Sequence, residues 1–288
     1  MKKTTILTML GSTMITGTTF ANPEIPNYKP TTVNQVGRYV DHNKGDTYVN
    51  PSLLKSISLA RKNLQSLKLF EDDITEDMGH VIIYGNKLKN VNEFYGTKNI
   101  HGSLIMHDNE IENLDGFQQV ENIGGGLHLY DNNLECNIDG LLNVETIGSD
   151  VIITDSAFRK CNEVDMRGFQ KLKSVNNGLN LSGIKIKSSV KWMIERVTGI
   201  LELSNTGLTN TNLLQELKYA GDINLRGNNL NDISSLHEAE VEGHILIDKA
   251  VLNNPHFRGL RSSAKLCQTG QAKHFHPNGI SQKEACNL

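Results

Sequence analysis

The chain has 288 residues, 38% of them apolar and 21% charged, with a formal net charge of −3. Those proportions exclude a disordered chain and a membrane bundle, and no apolar run reaches the roughly 20 residues of a membrane-spanning helix. The mildly acidic balance also lacks the basic stripe with which proteins follow nucleic-acid phosphates, so no nucleic-acid partner is expected.

Lys2 and Lys3 precede a mostly apolar or small stretch, Ile6–Ile15, and Thr19-Phe20-Ala21 ends on the small residues that signal peptidase requires. Residues 1–21 therefore read as a signal peptide, and without them the charge balance is 27 Lys+Arg against 32 Asp+Glu, or −5. No cysteine precedes Cys136, so a lipid anchor on a processed N-terminal cysteine is not expected. The chain is expected to be exported to the periplasm, the cell surface or the medium. Residues 22–51 contain Pro23, Pro26, Pro30 and Pro51 and read as an extended lead-in, with Val33–Val40 as a short covering element. Such a cap keeps water from the first apolar layer of a repeat array.

From residue 52 the sequence repeats. The stretch Gly102–Ile153 writes one phrase twice and begins it a third time: GSLIMHDNEIENLDGFQQVENI, GGGLHLYDNNLECNIDGLLNVETI, GSDVIITD. Each copy carries an alternating apolar triplet whose first residue is Ile57, Val81, Leu104, Leu127, Val151, Leu179, Leu201, Ile223 or Ile245, at steps of 24, 23, 23, 24, 28, 22, 22 and 22. The third triplet position is apolar in all nine copies, from Leu59 to Ile247, and so is the eighth, from Leu64 to Leu252. Alternation over three residues puts the first and third side chains inside a short strand, and the eighth residue returns to the same interior beyond a corner. A unit of this size cannot bury its apolar face alone and must stack on its neighbours.

The corner has its own signals. Glycine stands two residues before the strand at Gly79, Gly102, Gly125, Gly199, Gly221 and Gly243, where a turn of positive φ is expected. Asn86, Asn109, Asn132 and Asn228 occupy the sixth position, from which an amide can bond the corner backbone and link copies. On the return side, Leu114, Phe117, Val120 and Ile123 recur every third residue, which predicts 3₁₀-like or extended backbone. In later copies, Ser188-Ser189 followed by Val190, Met193, Ile194 and Val197, and the run Asn212–Ala220 with Leu213, Leu214 and Leu217, predict helical convex segments. The 28-residue step predicts an insertion at Phe158–Arg167.

Four cysteines in an exported chain suggest two disulfides, with three pairings open. Cys136 is the tenth residue of its repeat and Cys161 the eleventh of the next. With turns stacked roughly 4.8 Å apart, that offset suits a disulfide and predicts Cys136–Cys161. Cys267 and Cys286 remain to close a loop in residues 261–288, a locally basic tail that reads as a C-terminal cap.

The pattern L-x-L-x-x-N-x-L resembles leucine-rich repeats. The longer phrase, with Leu114-Asp115-Gly116 and Val120-x-x-Ile123-Gly124, resembles receptor L-domain repeats, including those of bacterial exported proteins. The resemblance covers residues 52–260 and is densest between Gly79 and Val175. It implies an α/β repeat solenoid: a right-handed stack of about nine turns with parallel strands on one face, serving as a scaffold that binds protein or other ligands. Ser156, Ile184, Thr206 and Ala250 depart from the corner Asn, so the asparagine ladder is expected to be interrupted.

Strand positions two, four and five face solvent in this register. In the central copies they are Ile82, Tyr84 and Gly85; Ile105, His107 and Asp108; His128, Tyr130 and Asp131; and Ile152, Thr154 and Asp155. Aromatic side chains there suggest a partner-binding patch, although strand packing alone also favours β-branched and aromatic residues. Asp108, Asp131 and Asp155 stack at position five and read as solvated or turn-bonding carboxylates, with a Ca²⁺ site and a glycoside-cleaving carboxylate pair as alternatives. His274-Phe275-His276 lacks a third ligand at metal-site spacing, and no GxSxG, HExxH, P-loop or dinucleotide motif occurs, so neither cofactor nor metal is expected. The expected function is non-catalytic binding of a protein or glycan outside the cytoplasm, in adhesion or host interaction. A carbohydrate-active enzyme using the aspartate ladder and a structural surface component are the alternatives.

Overall fold

A computed structural model describes residues 54–187 and 189–248, together with the backbone of short strands at Thr5–Leu10, Thr13–Thr18, Arg38–Val40, Thr47–Val49 and Lys265–Thr269. The expected signal-peptide cleavage site, most of both caps, Cys286 and the His274–His276 pair lie outside the described residues, as does the side chain of Cys267.

The alternating triplets form the predicted strands, and these stack in a single 16-stranded sheet. The first residues of successive triplets are partners throughout: Ile57 with Val81, Val81 with Leu104, Leu104 with Leu127, Leu127 with Val151, Val151 with Leu179, and onward to Ile245. All these pairings are parallel. One further parallel strand, Lys265–Thr269, pairs with His244–Asp248, so the segment read as a cap extends the sheet by one layer.

A second row of strands precedes the first around each turn: Asp77–Met78, Asn99–Ile100, Asn122–Ile123, Thr146–Ile147 and Ser174–Val175. It is carried by the apolar residue three or four positions before each triplet, such as Ile100, Ile123 and Ile147, all fully or almost fully buried. In later turns the two rows merge into single strands, Arg196–Glu202 and Tyr219–Asn224, with a register shift between Val197 and Ile200.

The return side consists of single 3₁₀ turns, among them Asn92–Phe94, Asp115–Phe117, Asp139–Leu141, Arg167–Phe169, Asn212–Leu214 and Ser234–Leu236. Each sends its last residue into the core, so Phe94, Phe117, Leu141, Phe169, Leu214 and Leu236 form one buried column. Phe94 and Phe117 lie 5.0 Å apart between ring centroids. Among the described residues no helix is long and apolar enough to cross a membrane.

The helical expectation for the late turns does not hold. Residues 190–195 are irregular and lead into the strand Arg196–Glu202, and Asn212–Leu214 is one 3₁₀ turn; no α-helix occurs among the described residues. Val190, Trp192 and Ile194 are buried in alternation, whereas Met193, counted on the apolar helical face, is 48% exposed. Both periods can be read from these residues, and the neighbouring turns select the extended one. Glu195 bonds Lys173 O through its N–H and accepts from Lys218 N–H, and the buried indole of Trp192 donates to Met166 O at 3.1 Å.

The glycines before the strands are also explained differently. None of the six has positive φ. At Gly102 a Cβ would stand 2.5 Å from His80 Nδ1 and 2.8 Å from Gly79 O, and at Gly125 it would stand 2.4 Å from Ser103 Oγ. What these sites require is room for the preceding turn. The Leu-Asp-Gly motif has the same origin, since a Cβ at Gly116 or Gly140 would lie 1.8 or 1.9 Å from the carbonyl oxygen of Val91 or Leu114.

The corner asparagines act as expected. Asn86, Asn109, Asn132 and Asn228 are buried, and each donates to a carbonyl of the preceding turn: Leu59, Ile83, Met106 and Leu203, at 2.6, 2.7, 2.7 and 2.8 Å. Where Thr206 replaces Asn, its hydroxyl bonds Leu203 O and Asn228 Oδ1 instead. Cys136 and Cys161 form the predicted disulfide across adjacent turns, with Cα atoms 5.5 Å apart. The extra residues of the 28-residue step lie between the corner and the 3₁₀ turn, tied down by that disulfide and by bridges Asn137–Asp165 and Val164–Ile186.

Two stability predictions follow from the stacking. Gly140→Ala forces a Cβ onto Leu114 O and is expected to cost about 1–3 kcal/mol or more, while Gly96→Ala, with nothing within 4 Å, is expected to stay within about 0.5 kcal/mol of the parent; urea denaturation of both variants compares them. Replacing Cys136 and Cys161 together by Ser frees a loop of sequence separation 25. It should lower unfolding free energy by about 3 kcal/mol, and a melting temperature unchanged from the oxidised parent would contradict that.

Candidate ligand-binding face

The pleat sends positions two and four of each first-row strand outward. Because the strands pair in register at strand spacing, equivalent outward side chains stand directly above one another. At position four this places Tyr84, His107 and Tyr130 in one column. Tyr84 and His107 stack with centroids 4.7 Å apart and planes 14° apart, and His107 and Tyr130 stack at 4.3 Å and 10°. The guanidinium of Arg61 lies 6.0 Å from the Tyr84 ring at one end of the column. At the other end the equivalent position is Thr154, which has no ring with which to continue the column.

Stacking fixes how the column meets solvent. Ring faces inside it are used by neighbouring rings, so the trio presents edges and polar atoms, and only the terminal rings have a face to offer. His107 Nδ1 lies 2.8 Å from Asp108 Oδ2. Burial holds the His107 imidazole below its ordinary pKa, against the opposing pull of the Asp108 hydrogen bond and charge. A neutral ring bonded to a carboxylate carries its proton on Nδ1 and leaves Nε2 as an acceptor. Burial, and then the charges of Asp108 and Asp131, push the Tyr130 phenol up, so it remains a donor at neutral pH.

Position two forms the adjoining column, with Ile82, Ile105, His128 and Ile152 as register partners. Ile105 was expected to face solvent but is only 4% exposed. Its in-register neighbours Ile82 and His128 flank it closely enough that little of it remains wet. His128 Nε2 lies 2.9 Å from Asp150 Oδ2, and this hydrogen bond, chiefly, draws the Asp150 carboxyl below its usual range. Two copies earlier, His80 Nδ1 accepts the Ser103 N–H at 3.1 Å, and burial lowers the His80 pKa.

The aspartates of position five have a backbone reason to be there. Asp108 and Asp131 adopt φ of 53° and 51°, and the same corner holds Gly85, Gly183 and Gly227 at 69°, 82° and 70° and Asn205 at 57°. Asp and Asn are among the few L residues that tolerate this left-handed conformation. Asp155 departs from the series by opening the 3₁₀ turn Asp155–Ala157. Asp108 binds His107, Asp131 pairs with Arg159 at 3.6 Å, and Asp155 is exposed, so the three carboxylates serve three different partners. Among the described residues no group of three or more His, Cys, Asp or Glu side chains is placed to hold a metal ion. Thr154 Oγ1 and Ser156 Oγ lie 2.8 Å apart, and Ser156 Oγ also accepts the Asp131 N–H.

Sequence counting thus identifies the column Tyr84–His107–Tyr130 and its flank Ile82, Ile105 and His128. It passes over Arg61, Asp150 and Arg159. Arg61 and Asp150 occupy countable repeat positions, whereas Arg159 sits in the insertion, where no register points to it. Comparison of the sequence with protein-family models and with curated protein sequences finds no match to either.

The lowered pKa values of His107 and His80 give a signed prediction. Both groups favour the neutral form when folded, so their contribution is complete above the unfolded value of roughly 6.5 and is lost as pH falls toward the depressed folded values. The melting temperature should fall from pH 7.5 to 5.5, and His107→Gln should flatten that slope; an unchanged slope counts against the assignment.

Proposed function

We propose that the chain is an exported, non-catalytic binding protein whose strand face carries a ligand surface centred on Tyr84, His107 and Tyr130. The observation that carries this reading is the aromatic column itself. Three rings fixed by in-register strands lose little entropy on binding, and large rigid aromatics dominate binding energy where they occur. The flanking Ile82 and Ile152, both partly exposed, supply an apolar border beside the polar edge of His128, while Asp108 and Asp131 supply acceptors at the rim. The ligand is a protein or a glycan, and the role is adhesion or host interaction.

The N-terminal signal-like segment and the Cys136–Cys161 disulfide favour export to an oxidising compartment, the periplasm, the cell surface or the medium. The resemblance to leucine-rich and L-domain repeats supports a scaffold that binds through its strand face. Division of the position-five aspartates among separate partners favours binding over hydrolysis.

The test is capture of ligand from cell-surface and host extracts by the purified chain and by a Tyr84→Ala, Tyr130→Ala double variant. Each truncated anchor is expected to cost about 2 kcal/mol or more, so capture should fall by well over ten-fold. Capture that survives both substitutions in a folded variant removes the reading, and turnover of a polysaccharide that is lost on Asp131→Asn replaces it with the enzymatic one.

A further inference from the structure

The aromatic column ends where the repeat is broken, and a concavity opens at that break. The 28-residue step draws the chain away from the corner after Phe158, and Ser156 and Ile184 replace the buried corner Asn in two successive turns. The space left has a volume of about 380 Å³ and is lined by Asp155, Ser156, Phe158, Arg159, Gly183 and Lys185 among others. That lies within the roughly 300–1,000 Å³ of small-molecule sites.

Its two cations are incompletely used. The Arg159 side chain is 56% exposed and stands 3.6 Å from Asp131, beyond direct hydrogen-bond reach. Among the described residues its guanidinium donates no hydrogen bond, although it carries five donors in a fork that matches a carboxylate. Lys185 Nζ donates to Asn205 O at 2.9 Å, leaving further ammonium protons for a ligand. Arg159 and Lys185 line the concavity from opposite sides, the guanidinium directed at Asp131 and the ammonium at Asn205, so an anionic group seated between them meets positive charge from both.

The neighbouring groups narrow the ligand class. Tyr130 stacks on His107 through one face, and on its other side the paired strand Val151–Ile153 leads into Thr154 at the equivalent position. Asp131, next in sequence, joins that ring to the concavity, since its carboxylate pairs with Arg159 and its N–H bonds Ser156 Oγ. An aromatic face attracts the C–H edges of a pyranose. The Ser156 hydroxyl and the exposed Asp155 carboxylate can exchange hydrogen bonds with sugar hydroxyls. An acidic ring sugar combines all three requirements.

We propose that this corner is a subsite for a sugar acid, with its carboxylate between Arg159 and Lys185 and its ring against the face of Tyr130 turned away from His107. The proposal rests on the strand face being a binding surface and names the ligand class for its C-terminal end.

The test is calorimetric titration of the full chain with glucuronate, galacturonate and N-acetylneuraminate, each beside its neutral counterpart glucose, galactose or N-acetylneuraminate methyl ester. At least one acid is expected to bind about ten-fold or more tightly than its neutral partner, and Arg159→Gln or Lys185→Gln should each remove that preference. Lys173→Gln, which breaks an exposed ion pair with Glu145 elsewhere on the solenoid, should leave it intact. Raising salt from about 0.05 to 0.5 M should weaken the acid and spare the neutral sugar. The proposal is overturned if no acid binds, if acid and neutral sugar bind alike, or if acetate or an acetylated dipeptide binds as well as the sugar acid. Unchanged melting temperatures for the Arg159 and Lys185 variants exclude misfolding as the cause. If Tyr84→Ala with Tyr130→Ala abolishes capture from extracts while the Arg159 and Lys185 variants bind sugars as the parent does, the strand face stands and the subsite falls.

Discussion

Everything in this chain follows from how closely one turn must lie on the next. Parallel strands at hydrogen-bonding distance leave no room for a side chain pointing along the stacking direction. Carbonyl oxygens of one turn therefore occupy the space where Cβ atoms of the next would stand. Gly116, Gly140 and Gly168 lie over the carbonyls of Val91, Leu114 and Ile138, and Gly124 and Gly148 over those of His101 and Gly124. The same stacking aligns the apolar first, third and eighth positions into a continuous core, so no single turn is stable without its neighbours.

That constraint also decides where polar groups go. A corner that turns the chain inside a packed stack strands backbone donors and acceptors, and a buried asparagine satisfies them across two turns at once. The residue before it takes a left-handed conformation, which favours Gly, Asn and Asp, although Arg61 adopts it at the same position of the first copy. The stacked carboxylates that suggest a cation site or a catalytic pair are in large part a consequence of this geometry. Their chemistry is then set by what each one meets: an imidazole for Asp108, a guanidinium for Asp131 and solvent for Asp155.

The outward face inherits its order from the core. In-register pairing turns three residues separated by more than twenty positions in sequence into one column of stacked rings. The insertion after Phe158 is the one place among the described turns where the step lengthens by several residues. There the column stops, the corner asparagine is missing, and Arg159 and Lys185 enter. Regular turns build the surface, and the irregular one provides the concavity.

By itself the sequence determined the first row of strands and its register, the core columns, the corner asparagines and the partnership of Cys136 with Cys161, but not the second row of strands. All of these depend on a period that can be counted, and packing only repeats what the period states. Tertiary structure alone decided between two periods at Val190–Val197, because Trp192, Met193 and Ile194 satisfy a helix or a strand equally well until the neighbouring turns supply hydrogen-bond partners. It decided that the glycines before the strands serve close approach rather than positive φ, since composition cannot distinguish a missing Cβ from a left-handed backbone. It covered Ile105, whose outward position says nothing about how tightly its neighbours close over it. And it brought Arg159 beside Asp131 and Lys185 into the same concavity, a meeting that no repeat register encodes because the insertion belongs to no register.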